Sequence, residues 1–244
     1  MRYQLDTIPV WDAYKEGGEC PLCTLRARNE DMYVDSFLGD SVMDPATRVQ
    51  VNEKGFCHRH FAMMLPMKNR LGLGLIAHTY LKDVIADART VLNEAAEKEY
   101  PGLLGGFRRA GVSESSPSAR IRARIGGCIL CERLDFTMRR YAYTLVHLWL
   151  HDAEFRRLFA SSKGLCLPDT ALVMEMAETE AGGQKRREFY AALAKLQKEN
   201  LARVEKDLEW FTLKFDYRNH DKPWGDSRDA PERAIGKLVG DRPT

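Results

Sequence analysis

The six cysteines of this chain fall into two sets of three with one shared grammar. Cys20-Pro21-Leu22-Cys23 is followed, after a long spacer, by Gly55-Phe56-Cys57-His58-Arg59-His60. Cys128-Ile129-Leu130-Cys131 is followed in the same way by Gly164-Leu165-Cys166-Leu167-Pro168-Asp169. A closed tetrahedral metal site draws four ligands from two short chelating pairs, and both sets offer pairs at that spacing. Taken in chain order, Cys20, Cys23, Cys57 and His60 are expected to close one site. Cys128, Cys131, Cys166 and Asp169 are expected to close the other.

The repetition extends beyond the ligands. Cys20 and Cys128, Cys23 and Cys131, Tyr33 and Tyr141, Asp44 and Asp152, and Arg48 and Arg156 all lie 108 residues apart. After a one-residue insertion, Lys54 and Lys163, Gly55 and Gly164, Cys57 and Cys166, and His60 and Asp169 lie 109 apart. Matches at non-ligand positions in one frame point to an internal duplication. The rest of the chain fits that frame. Pro9 and Gly17-Gly18 are expected to prevent a long helix before Cys20, and Thr24–Leu38 reads as helical. Leu73 to Ala95 carries apolar residues at three-four spacing, and so does the stretch from Phe189 to Phe215. Gly111 to Ser118 has the composition of a linker. The expected fold is all-α: two metal-knuckle and helix-hairpin repeats, 1–104 and 125–215, packed through long amphipathic helices. A Gly/Ser/Arg-rich linker at 105–124 joins them, and a tail at 216–244 packs back on them. Within that tail a helix is expected over Pro231–Val239, with Ala234, Ile235 and Leu238 as its apolar face.

Composition narrows the functional classes. At 244 residues, with 44% hydrophobic and 30% charged residues, the chain can build one large core or two small ones. A formal net charge of +2 points to no polyanionic partner. The N-terminal stretch has no signal-peptide run, and no segment approaches the ~20 apolar residues that span a bilayer. The expected location is therefore the cytoplasm, where the reducing pool favours metal-bound thiolates over disulfides.

Several residues compete for chemical roles. His147 and His151, four apart on the helix after Cys131, are alternative ligands to Asp169, although their counterparts Gly39 and Met43 are not ligands in the first set. A redox reading of Cys20-Pro21-Leu22-Cys23 is open, since a helix N-terminus lowers a thiol pKa, but a redox pair needs no third cysteine and histidine at a repeated distance. An iron–sulfur cluster uses the same ligand types as zinc. Arg108, Arg109, Arg120, Arg122 and Arg124 flank the linker with only Glu114 against them. Without interleaved aromatics they read as solvated charge more than as a nucleic-acid surface. Asp216 to Gly225 reads as a loop pinned by an Asp–Arg pair and a Trp. No phosphate-binding glycine loop, nucleophile elbow or His-Glu-x-x-His motif is present.

Both Cys-x-x-Cys pairs, Gly-Phe-Cys-x-x-His at 55–60, Gly-Leu-Cys-Leu-Pro at 164–168, Lys214-Phe215-Asp216-Tyr217-Arg218 and Pro223-Trp224-Gly225 carry a resemblance over nearly the whole chain. The chain resembles a bacterial family catalogued as a domain of unknown function. The resemblance implies the module boundaries and no reaction. It also implies histidine at the last ligand position of the second set, where this chain has Asp169. The expectation is a cytoplasmic, non-enzymatic zinc protein with two internal sites and an adaptor or scaffold role. An iron–sulfur or thiol redox protein is the first alternative and a nucleic-acid-binding protein the second.

Overall fold

In a computed structural model the described residues are 4–98, 113 and 115–240, with side chains described from Asp6 onward. Residues 105–112 and 114 of the expected linker, Arg108 and Arg109 among them, lie outside these. Eleven α-helices and no strand occur among the described residues. They are α1 (Gln4–Lys15), α2 (Pro21–Leu38), α3 (Pro45–Lys54), α4 (His58–Met64), α5 (Arg70–Glu97), α6 (Pro117–Ile125), α7 (Ile129–His151), α8 (Ala153–Ala160), α9 (Leu167–Glu180), α10 (Gly183–Leu213) and α11 (Ala230–Val239). The protein is all-α, as its periodicities predict.

Two helix readings are corrected. Pro9 lies inside α1, which runs on to Lys15. A proline that early removes a single internal hydrogen bond, and Val10, Ala13 and Tyr14 are buried on the same helix, which offsets the loss. In α11, Ile235 and Leu238 face solvent at 59% and 60% exposure, while Ala230 and Lys237 are buried. The helix therefore docks through the face that carries a lysine, because that lysine has partners to meet, described below.

The chain divides into a nested unit, residues 30–133, and a flanking unit, residues 1–29 with 134–244. Helices α2 and α7 each contribute to both. The nested unit is built on Val34, Phe37, Phe56, Met64, Leu73 and Ile76, joined by Ile129 and Leu130 from the start of α7. Its aromatic centre is an edge-on stack, Phe37 to Phe56 at 5.1 Å and Phe56 to Phe61 at 5.4 Å between centroids. The flanking unit packs Phe155, Phe159 and Phe189, all fully buried. Tyr14 meets Phe155 edge-on at 5.1 Å and Trp149 meets Phe189 at 5.1 Å. Each such fully buried aromatic stabilises by roughly 2–3 kcal/mol through area alone.

Matching residues do matching jobs in the two units. Asp44 caps α3 by accepting from Thr47 N at 2.7 Å, and Asp152 caps α8 by accepting from Glu154 N and Phe155 N at 2.8 and 3.0 Å. Arg48 returns to the carbonyl of Val42 at 3.5 Å, and Arg156 to that of Leu150 at 2.7 Å. Both guanidiniums tie the start of their helix to the turn before it.

Candidate metal centres

Each cysteine pair is placed by a helix start. Cys20 and Cys23 flank the first turn of α2, and Cys128 and Cys131 the first turn of α7. Cys57 and Cys166 are the residues immediately before α4 and α9, with His60 and Asp169 three positions on. That spacing brings both side chains of a pair onto one face of the first turn. The backbone reaches each pair through a glycine in the left-handed region, Gly55 at φ 67° and Gly164 at φ 76°, a conformation a β-carbon disfavours.

The pairs combine crosswise, which corrects the chain-order expectation. In the nested unit Cys57 and His60 meet Cys128 and Cys131; in the flanking unit Cys20 and Cys23 meet Cys166 and Asp169. The reason lies in how the approach loops dock. In the nested unit Ile129 N donates to Gly55 O at 3.1 Å. A β-carbon on Gly127 would stand 2.7 Å from the backbone oxygen of Lys54, so only glycine lets the two loops touch. In the flanking unit the residue matching Ile129 is Pro21, which has no N–H to donate. There Lys237 of α11 joins the loops instead, its Nζ donating to Glu19 O at 2.5 Å and Lys163 O at 2.6 Å. Gln197 holds the Cys166 loop from the other side, accepting from Leu165 N at 2.9 Å and donating to Leu165 O at 3.0 Å.

In the nested cluster His60 Nδ1 stands 3.2 Å from Cys57 Sγ, 3.2 Å from Cys128 Sγ and 3.5 Å from Cys131 Sγ. Cys57 and Cys131 are 3.9 Å apart at sulfur. The other ring nitrogen, Nε2, lies 2.9 Å from Glu30 Oε1. Glu30 is 1% exposed and also takes a hydrogen bond from Arg59. In the flanking cluster Asp169 Oδ2 faces Cys20, Cys23 and Cys166 at 3.3, 3.4 and 3.1 Å, with Cys23 and Cys166 3.6 Å apart. Its second oxygen takes Arg26 Nη2 at 3.3 Å. All four residues of this cluster are buried.

The electrostatics of both clusters favour a cation. Burial pushes the Cys20 thiol up and, followed by the Cys20 charge, raises Asp169. Cys166 is raised far above the ordinary thiol range by its contacts with Cys20 and Cys23, then by burial. Burial, then Cys128, raises Cys131. Burial also acts upward on Cys128, but the His60 ring and the N–H groups of Cys131 and Cys57 outweigh it and hold Cys128 at about 6. Burial acts downward on His60, but contact with Cys128 and Glu30 brings it up to about 10. Acids that raise one another in so small a space, and an imidazole drawn to its cationic form beside Cys128, mark an excess of negative charge that a shared positive ion would relieve.

The eight sequence-selected ligands are all present in the two clusters, and His147 and His151 join neither. Glu30, Arg26 and Lys237, missed from the sequence, surround them. Glu30 had a visible signal: it shares the buried face of α2 with Val34 and Phe37 at three-four spacing, an acid in an apolar seam. Of the linker arginines, Arg120 pairs with Glu94 and Arg124 with Asp87. In the tail Asp216 accepts from Arg218 N at 2.9 Å and Arg218 Nε at 3.0 Å, pinning the loop, with Trp224 against Phe211 and Phe215.

Fold and clusters together define an all-α protein with two Cys/His/Asp clusters that could each hold a metal ion. No helix among the described residues is long and apolar enough to cross a membrane. The chain belongs to the family of unknown function DUF6062, whose model matches residues 1–244. No curated protein and no solved structure matches it.

Proposed function

We propose that the protein is a zinc protein whose two ions are structural, serving as a scaffold for a protein partner in a reducing, cytoplasmic compartment. The observation that carries this reading is donor spacing. A tetrahedral zinc with Zn–S bonds of about 2.3 Å sets its sulfurs about 3.8 Å apart, and one sulfur pair in each cluster, Cys57–Cys131 and Cys23–Cys166, lies at 3.9 and 3.6 Å. All donor atoms within a cluster lie within 4.8 Å of one another, the span of a single ion. A polynuclear iron–sulfur cluster interposes bridging sulfides between its metals and spreads its protein ligands wider. Four protein donors leave no position for water, which favours a structural over a hydrolytic ion. The ion pairs of Arg120 and Arg124 weigh against a nucleic-acid surface at α6.

The two centres differ in charge. Three thiolates and a neutral imidazole on Zn²⁺ sum to about −1, three thiolates and a carboxylate to about −2. The more anionic centre has Arg26 on its carboxylate and Lys237 on its approach loops. In the other, Glu30 fixes His60 so that Nδ1 faces the sulfurs, a carboxylate–histidine–metal arrangement. The matched caps, glycines and knuckles support reading the halves as copies of one ancestral module.

Elemental analysis and an absorption spectrum of protein purified without air test the assignment. Two zinc ions per chain resistant to a weak chelator, and no visible band, are expected; iron with a broad visible band would replace zinc by an iron centre. Glu30→Gln is expected to weaken metal at the His60 centre by about 10- to 100-fold in chelator competition, with the Asp169 centre unchanged. Equal weakening of both centres would show that Glu30 acts on the fold and not on its histidine.

A further inference from the structure

We propose that His147, His151 and Glu180 form a third metal site, open to solvent and suited to a divalent first-row transition ion, separate from the two thiolate centres. All three residues belong to the flanking unit. His147 and His151 are one turn apart on α7, so their rings share a face, with centroids 4.5 Å apart. Glu180, the last residue of α9, brings Oε1 to 2.7 Å from His147 Nδ1. One donor atom from each residue falls within a sphere of mutual distances no greater than 4.8 Å. Metal–ligand bonds of about 2.1 Å place neighbouring donors about 3–4 Å apart, so small side-chain rotations suffice to close this set around one ion.

The chemistry differs from that of the thiolate centres in three ways. Two imidazole nitrogens and one carboxylate oxygen are ligands for zinc, cobalt, nickel, copper or ferrous iron, with no sulfur to favour a softer ion. Three protein ligands leave positions for water or a further ligand, where the thiolate centres leave none. The complex would carry a charge of about +1 rather than −1 or −2. A hydrogen-bonded His147–Glu180 pair explains two of the residues but gives no reason for an exposed histidine with its ring against the first. Tyr143 stacks on His147 at an interplanar angle of 16°, extending the same helix face and steadying the ring. The corresponding places in the first half hold Gly39 and Met43. The site is therefore no by-product of the duplicated pattern.

The test uses full-length protein with both thiolate centres loaded with zinc, titrated with Co²⁺ and followed by calorimetry and absorption. One further Co²⁺ is expected to bind with the weak absorption of nitrogen and oxygen ligation. His151→Ala and Glu180→Gln are each expected to weaken it by at least the about 10- to 100-fold that loss of an outer-shell partner costs. His151 is exposed, so its replacement should leave the melting temperature unchanged and separate ligation from folding. Failure to bind Co²⁺, binding indifferent to His151→Ala, or uptake that comes only with intense thiolate-to-cobalt absorption would each overturn the proposal.

Discussion

Replacing Cys57 with serine is expected to expose Cys128 and Cys131 to alkylation while Cys20, Cys23 and Cys166 stay protected. The expectation follows from the crosswise clusters, in which Cys57 shares its centre with the Cys-x-x-Cys pair of α7. Ligation in chain order predicts the opposite partners, Cys20 and Cys23. Mass-spectrometric mapping of the modified cysteines decides between the two, and co-exposure of Cys20 and Cys23 would refute the crossed arrangement. Removing both ions with a strong chelator should do far more. Metal binding of this kind is folding free energy, on the order of 10 kcal/mol per structural zinc, so that two ions together exceed the roughly 5–15 kcal/mol net stability of a typical domain. Loss of most helical circular dichroism is the expected result. A stripped protein that melts like the loaded one would show that the thiols are not structural ligands.

The second large effect is expected at Lys237. The residue is 2% exposed, and its ammonium meets two carbonyls and the Glu19 carboxylate, the last at 3.4 Å. Burial pulls its pKa below the ordinary lysine value. Lys237→Met would fit the space but leave Glu19 O, Lys163 O and the Glu19 carboxylate without this donor. Glu19 keeps Arg203 at 2.6 Å, but each buried carbonyl left without a donor costs about 1–3 kcal/mol, together roughly 10 °C of melting temperature at this chain length. Leu238→Ala, next door but 60% exposed, should shift stability by no more than about 0.5 kcal/mol. Thermal melts of the two variants give the comparison. The reverse order would mean that α11 docks through its apolar face after all.

Much of this was legible in the sequence because its physics is local. A Cys-x-x-Cys at a helix start, or a cysteine followed three residues later by histidine or aspartate, is a complete chelating pair in itself. Spacing therefore picked out all eight residues of the two clusters, and three-four periodicity picked out α5 and α10. Which pair meets which is a different kind of fact. The half-sites are chemically interchangeable, so nothing in Cys57 or His60 prefers Cys20 to Cys128. The choice rests on Gly127 against Lys54, on the bond from Ile129 to Gly55, and on Lys237 where Pro21 cannot donate. Those contacts span long stretches of chain and have no periodic signature. Hydropathy likewise misjudged α11, because a lysine with three oxygen partners is at home in a buried position.

Crosswise pairing also dictates an order of assembly during synthesis. Everything that the His60 cluster needs, from Glu30 to Cys131, has been synthesised before the second half of α7 is made. The Asp169 centre must wait: Cys20 and Cys23 emerge early, yet their partners arrive only with Cys166 and Asp169, and the Lys237 staple comes later still. The nascent chain thus carries an unpaired dithiol through most of its own translation. A fragment of residues 1–104 would contain Cys20, Cys23, Cys57 and His60, half of each cluster, and complete neither.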